Sequence, residues 1–181
     1  MLRLRTAVAV VGVFAFMVAA SSAHAACAGA DAMPSSANAA KVRTATLCLL
    51  NVQRRAHGLR KLRENGRLRG AAAGYSRLMV SQGFFAHVSP SGSTLESRVS
   101  GTHYLDGARS WSIGENIAWG TGPLGTPRQI VKAWMHSPGH RENILNGTYR
   151  DIGIGIATGA PIPAGAAANG ATYTTDFGYR G

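Results

Sequence analysis

Three short stretches hold the residues that could do chemistry: Phe84-Phe85-Ala86-His87-Val88-Ser89-Pro90, Ile113-Gly114-Glu115-Asn116-Ile117-Ala118-Trp119, and His136-Ser137-Pro138-Gly139-His140-Arg141-Glu142-Asn143-Ile144-Leu145. Each sets an imidazole or a carboxylate among aromatics and turn-formers, where an unpaired polar group is costly to bury. Two imidazoles and a carboxylate, His87, His140 and Glu115, could bind a divalent metal or carry out acid–base work. His136 and His140 have the i, i+4 spacing of a helical zinc pair, but Pro138-Gly139 between them breaks a regular helix. Ser89 and Ser137 lie near histidines without a G-x-S-x-G elbow, so no nucleophile stands in a recognisable setting. Simpler roles stay open for the same residues. Glu115 could hold a loop through backbone N–H groups, His87 could pack on Phe84 or Phe85, and His140 could cap a turn. Asn116 and Asn143 are expected to hydrogen-bond loop backbone, and Trp119 and Trp134 to lie in the core.

The flanking pattern shows what must position these stretches. Val42, Ala45, Leu49, Val52 and Ala56 make one helical stripe ending near Gly58. A second helix follows Asn65-Gly66, with Leu68, Ala71, Ala72, Tyr75, Leu78 and Met79 on one face and Gly83 at its end. A short helix capped by Ser93 or Thr94 runs to Gly101. A fourth starts at Thr126-Pro127 and buries Ile130, Val131 and Trp134. It is interrupted at Pro138-Gly139, before a brief turn from His140 to Leu145. The period then changes to two. Ile152, Ile154 and Ile156 alternate with Gly153, Gly155 and Ala157, and Tyr173, Thr175 and Phe177 alternate after a Gly/Pro/Ala loop. These strands are expected to pair as a hairpin, with Gly153 and Gly155 open to close approach by another backbone or a helix. Trp111 to Trp119 reads as strand or ordered loop. The sum is α+β, helices laid on a small antiparallel sheet.

The chain has 181 residues and a formal net charge of +11. Arg3 and Arg5, the 14-residue uncharged run Ala7–Ala20 and the exit Ala23-His24-Ala25 build a secretory signal over residues 1–25. The run falls short of the ~20 residues of a spanning helix, so no transmembrane span is expected after cleavage. Residues 26–40 read as a flexible lead and 41–181 as one domain. In the oxidising compartment beyond the membrane, Cys27 is expected to pair with Cys48. Two unpaired thiols are the alternative. Cys27 also stands where a lipid-attachment cysteine would, though His24 occupies the leucine-like place of that box. From 41 to 77 the chain carries Lys41, Arg43, Arg54, Arg55, Arg60, Lys61, Arg63, Arg67, Arg69 and Arg77 against the single acid Glu64. Such a face attracts anions or simply aids solubility. For an exported chain the anions are cell-envelope polymers and lipid head groups. Nucleic acid is not expected, since no aromatics interleave the basic residues to stack bases.

The order Phe84-Phe85-Ala86-His87, Gly114-Glu115-Asn116-Ile117, Gly139-His140-Arg141-Glu142-Asn143-Ile144-Leu145 and Gly153-Ile154-Gly155 resembles the CAP superfamily of cysteine-rich secretory, antigen-five and pathogenesis-related proteins. Asn51-Val52-Gln53-Arg54, Gly58-Leu59 and Trp134 extend the likeness from about Cys48 to Gly178. The resemblance implies a three-layer α-β-α sandwich with a cleft that presents two histidines and acids able to hold a divalent metal, zinc or magnesium. By motif the histidines match His87 and His140, and the acid matches Glu115. Animal and plant members usually add a glutamate just after a helical tryptophan. Here Met135-His136-Ser137 follow Trp134, so that glutamate is absent; His136 or Glu96 could take its place, and neither is a motif match. The implied function is a secreted, monomeric binding module for a lipid or envelope ligand. A metal- or His/Glu-dependent hydrolase and a structural scaffold are the alternatives. No catalytic residue is assigned.

Overall fold

The computed structural model describes residues 27–162 and 169–181, so the signal expected over 1–25 lies outside the described residues. The elements run α1 (Ala39–Ala56), β1 (Arg63–Glu64), α2 (Gly66–Gln82), α3 (Leu95–Gly101), β2 (Trp111–Thr121), a 3-10 turn (Gly122–Gly125), α4 (Pro127–His136), α5 (Pro138–Leu145), β3 (Asp151–Thr158) and β4 (Gly170–Arg180). The helix limits follow local chemistry. Asn65 accepts the backbone N–H of Arg67 and Leu68 to start α2, and Gly83, at φ 65°, ends it. Thr94 and Ser97 form a reciprocal capping box on α3.

The sheet order is β1-β3-β4-β2. The expected hairpin is β3–β4, antiparallel, with Ile152 opposite Phe177 and Ile156 opposite Tyr173. The ambiguous segment at Trp111 is a strand, paired with β4 along all 11 residues of β2. The two residues of β1 pair parallel to β3.

Alternation in the strands sets the layers. Ile152, Ile154, Tyr173 and Phe177 pack against Leu49 and Leu50 of α1, Ile130 and Trp134 of α4, and Ile144 of α5. The opposite face of β3 carries Gly153 and Gly155, and α2 lies directly on them. A Cβ at Gly153 would stand 2.0 Å from the Leu68 carbonyl carbon, and one at Gly155 2.2 Å from that of Ala72. The fold is therefore the α-β-α sandwich, with α2 and α3 on one side and α1, α4 and α5 on the other.

The stripe of α1 departs from expectation at its end. Ala56 is exposed, and the buried residues there are Asn51 and Arg54. Arg54 donates to the carbonyls of Arg60, Ile144 and Asn146 at 2.8–2.9 Å. A guanidinium with five N–H donors ties two loops to one helix where an alanine could not. The N-terminal segment is tied down as well. Cys27 is bonded to Cys48 of α1, Arg128 pairs with Asp31 at 2.6 Å, and Arg128 N–H reaches Ala30 O at 2.9 Å.

In the chain-entropy picture, a loop of the size that the Cys27–Cys48 bridge closes is worth about 3 kcal/mol. A Cys27→Ala/Cys48→Ala protein is expected to lose about that much in urea unfolding, with an equal or steeper slope because the unlinked unfolded chain exposes more surface. Unchanged stability would place the bridge outside the cooperative unit.

Candidate functional site

Glu115 sits on β2 directly opposite Asp176 of β4, both facing α2 and α3. Its side chain is 2% exposed, and both oxygens are engaged: His87 Nδ1–H donates to Oε1 at 2.8 Å and Arg98 Nη2 to Oε2 at 2.6 Å. The Arg98 guanidinium lies 3.4 Å over the Tyr75 ring, and its Nη1 donates to Ser93 O at 2.9 Å. Tyr75 in turn donates its hydroxyl to Ala86 O at 2.6 Å, which fixes the backbone just before His87. The imidazole itself stays 56% exposed. With its Nδ1–H given to Glu115, its Nε2 carries a free lone pair.

The second imidazole comes from the other layer. Gly114 has no room for a side chain, since a Cβ there would meet Tyr149 Oη at 2.4 Å and Asn143 Oδ1 at 2.8 Å. That contact lets α5 lie against β2. Asn116 donates to His140 O at 3.0 Å, and Asn143 donates to Glu115 O at 3.1 Å and to Asn116 Oδ1 at 2.9 Å. The two asparagines bond backbone, as expected, and their bonds clamp α5 to the strand. His140 Nδ1 lies 2.8 Å from the Ser137 hydroxyl. Ser137 stands at the N-cap of α5 yet makes no cap bond; its oxygen serves the imidazole. Burial, and then the nearby charge of His87, lower the pKa of His140. His140 thus lies within electrostatic reach of His87 across the edge strand.

The model of the cysteine-rich secretory protein (CAP) family matches residues 47–165. The chain belongs to the CAP family. It is 38% identical over 116 residues to the uncharacterized protein YkwD of Bacillus subtilis, an overlap of 63% of this chain and 42% of that one. It is 36% identical over 112 residues to the uncharacterized membrane protein YlbC of the same organism, 61% of this chain and 30% of that one. The chain thus spans less than half the length of these curated relatives. Among solved structures, it is similar to an extracellular SCP-domain protein of Bacillus anthracis, with a TM-score of 0.59 and 25% identity over 77% of this chain and 43% of that one. An outer surface protein of Borrelia burgdorferi shares the fold at a TM-score of 0.58 and 22% identity, over 73% of this chain and 87% of that one.

Within this CAP domain the sequence candidates separate. His87 and Glu115 are in contact, and His140 lies within electrostatic reach of His87, its ring bonded to Ser137. Glu96 is exposed on α3, and Arg98 two residues on supplies the contact to Glu115. His136 ends α4, with its Nδ1–H given to Lys132 O at 2.7 Å, and lines a groove of about 400 Å³ beside Trp119 and Leu124. Trp134 is core at 1% exposure; Trp119 is not, standing 37% exposed on the edge strand beside α4. Zinc or magnesium does not fit the donors present. Glu115 spends both oxygens on His87 and Arg98, and among the described residues no group of three or more His, Cys, Asp or Glu could hold a metal ion. Two imidazoles fall short of the three protein ligands of a catalytic zinc site.

Three residues of the cleft's support escaped sequence reasoning. Arg98 reads as an ordinary helix charge, and Tyr75 as core. Asp176 left a signal: an acid among Thr172, Thr174 and Gly178, on the face that meets α2. Neither oxygen of Asp176 has a hydrogen-bond partner among the described residues, and the residue stands directly opposite Glu115 in the ladder. Burial first, and then the Glu115 charge, push its pKa well above the usual carboxylate range.

The basic stretch read from sequence also has a place in the fold. A basin of about 720 Å³ at the start of β1 and β3 is lined by Arg60, Lys61, Arg63 and Arg150, with Leu62 and Asp151. Its one carboxylate accepts the Tyr104 hydroxyl at 2.9 Å.

Arg98→Ala leaves a buried carboxylate without its cation, and it is expected to destabilise the fold by about 3–5 kcal/mol. Asp176 carries the opposite pH sign to an ion-paired acid. The folded chain keeps a proton that the unfolded chain releases, so stability falls as pH climbs above the ordinary carboxylate pKa of about 4. Asp176→Asn is therefore expected to match or exceed the parent at pH 8, by a margin that shrinks toward pH 4. Denaturant unfolding at the two pH values reads both; a margin that grows on acidification contradicts a protonated Asp176.

Proposed function

We propose that the protein is an exported, monomeric binding module that holds an anionic ligand of the cell envelope, a polymer or a lipid head group. The observation that carries this reading is the basin of Arg60, Lys61, Arg63 and Arg150, four cations facing one carboxylate already occupied by Tyr104. Such a surface concentrates anions at its mouth. The Cys27–Cys48 disulfide and the signal-like start of the chain support an extracytoplasmic site. Among the described residues no helix is long and apolar enough to cross a membrane. The SCP-domain protein of Bacillus anthracis is described as extracellular and the Borrelia protein as an outer surface protein, which agrees with that placement.

A second reading has one observation in its favour. A carboxylate on Nδ1 and a free Nε2 equip His87 as a general base for water attack on a carbonyl or phosphoryl centre. Ser137, bonded to His140, lacks the strand-to-helix elbow of an activated serine. A hydrolase of this kind would act through water alone.

The test uses vesicles of phosphatidylglycerol and phosphatidylcholine, and soluble poly(glycerol phosphate), with the wild type, Lys61→Glu/Arg63→Glu and His87→Ala. Binding to either probe is expected to weaken steeply with salt and to drop about tenfold or more in the charge-reversed protein. His87→Ala is expected to bind like the wild type. Salt-independent binding, or equal binding by the charge-reversed protein, overturns the reading. Probe turnover that vanishes in His87→Ala makes the protein a hydrolase.

A further inference from the structure

The sheet has one edge that the chain leaves unfinished. β1 covers β3 for two residues only, Arg63 against Asp151 and Glu64 against Ile152, and then turns away at Asn65 into α2. Asn65 N–H reaches Ile152 O at 2.8 Å, so Ile152 directs its backbone groups toward β1. In an antiparallel ladder this direction alternates residue by residue. Gly153 and Gly155 therefore bond β4, and Gly159 N–H continues that series to Gly170 O at 2.6 Å. Ile154 and Ile156 direct their N–H and C=O groups the other way, into the space that β1 leaves. Among the described residues no strand pairs with β3 there and no turn, loop or cap bond reaches these groups, although Ile154 is only 1% exposed. Unpaired backbone groups at so low an exposure are unusual in a native protein.

The space itself is a groove. Two adjoining volumes of about 370 and 390 Å³ share Ala39, Arg77 and Ile156 and run along β3 between α1 and α2. Ala39 of α1 and Ala73 of α2 are among its lining residues. The charge is on the α2 side and at the mouth: Arg69, Arg77 and, from α1, Arg43. Arg43 and Arg69 share the carboxylate of Glu64, at 2.7 and 3.5 Å, and Arg77 is exposed with no ion partner among the described residues.

We infer that this groove takes an extended acidic peptide segment, added to the sheet as a strand in line with β1. The backbone of such a segment supplies the partners that Ile154 and Ile156 lack, and its alternate side chains supply specificity. Acidic side chains on one face meet Arg69 and Arg77, while small apolar ones on the other meet Ala39. A fatty-acyl chain would fill the volume and leave the Ile154 and Ile156 backbone groups unpaired, so it suits the groove less well. The inference is independent of the anion basin, whose lining residues do not border the groove.

The test is fluorescence anisotropy with labelled Glu-Val-Glu-Val-Glu-Val, and with the same peptide N-methylated at alternate amides, on the disulfide-bonded protein. The wild type is expected to bind the plain peptide. Arg77→Glu, at an exposed position, is expected to bind about tenfold more weakly, and the peptide methylated on the pairing side at least about tenfold more weakly than the plain one. In an amide-resolved NMR titration the Ile154 and Ile156 N–H signals are expected to move, with the His87 region still. No binding overturns the inference. Equal binding of the plain peptide and of peptides methylated in either register reduces it to charge attraction, which also overturns it. Displacement of the peptide by palmitate with no shift at Ile154 or Ile156 assigns the groove to a lipid instead.

Discussion

Two carboxyl groups face one another across β2 and β4 with almost no water, and the cleft is built around making that tolerable. One solution is a proton, which Asp176 keeps because both burial and the Glu115 charge oppose its ionisation. The other is a cation, supplied by Arg98 at 2.6 Å from Glu115. Breaking a buried pair of this kind costs far more than forming it gains. The constraint reaches outward from there. Arg98 must be held, so its guanidinium lies on Tyr75 and its N–H groups reach Ser93 O. Tyr75 must be held, so its hydroxyl takes Ala86 O. The loop carrying His87 is fixed as a result, and the remaining oxygen of Glu115 orients the ring.

The same economy governs the layers. Glycine at 153 and 155 brings α2 against the sheet, and α2 carries Tyr75 to Arg98. Glycine at 114 brings α5 against the other face of β2, and α5 carries His140. Side chains at any of the three positions would move a helix, and with it one of the two imidazoles. The cleft therefore depends on small residues that never enter it. With Glu115 committed inward, what faces solvent is a pair of imidazoles and no free carboxylate. The proposed affinity for anions then rests with Arg60, Lys61, Arg63 and Arg150.

The helices are legible in the sequence because Asn65, Gly83, Thr94 and Pro127 punctuate them chemically. The β3–β4 hairpin is legible from alternation, and its glycines from their place in it. β1 is not, since two residues carry no period. β2 stayed ambiguous because Glu115 and Asn116 put polar groups where a buried strand should be apolar, and those are the groups the cleft uses. His87, Glu115 and His140 are legible as a set from motif order. That Glu115 turns inward is not, because its partner Arg98 lies on a helix whose pattern looks solvated. Asp176 was visible as an acid in an alternating strand, yet its meaning depends on the register that sets it against Glu115. Ala56 and Trp119 mislead for one reason: apolar character in sequence does not say which face the neighbouring layer will cover.

The most direct measurement is the ring 15N spectrum of His87, read through its two-bond couplings near pH 8. A carboxylate that accepts from Nδ1 fixes the neutral ring as the Nδ1–H tautomer with Nε2 unprotonated. That tautomer is expected in the wild type, and its loss is expected in Glu115→Ala, which removes the acceptor. A neutral ring protonated at Nε2, or a rapid mixture of both forms in the wild type, would contradict a Glu115 committed to His87 and Arg98.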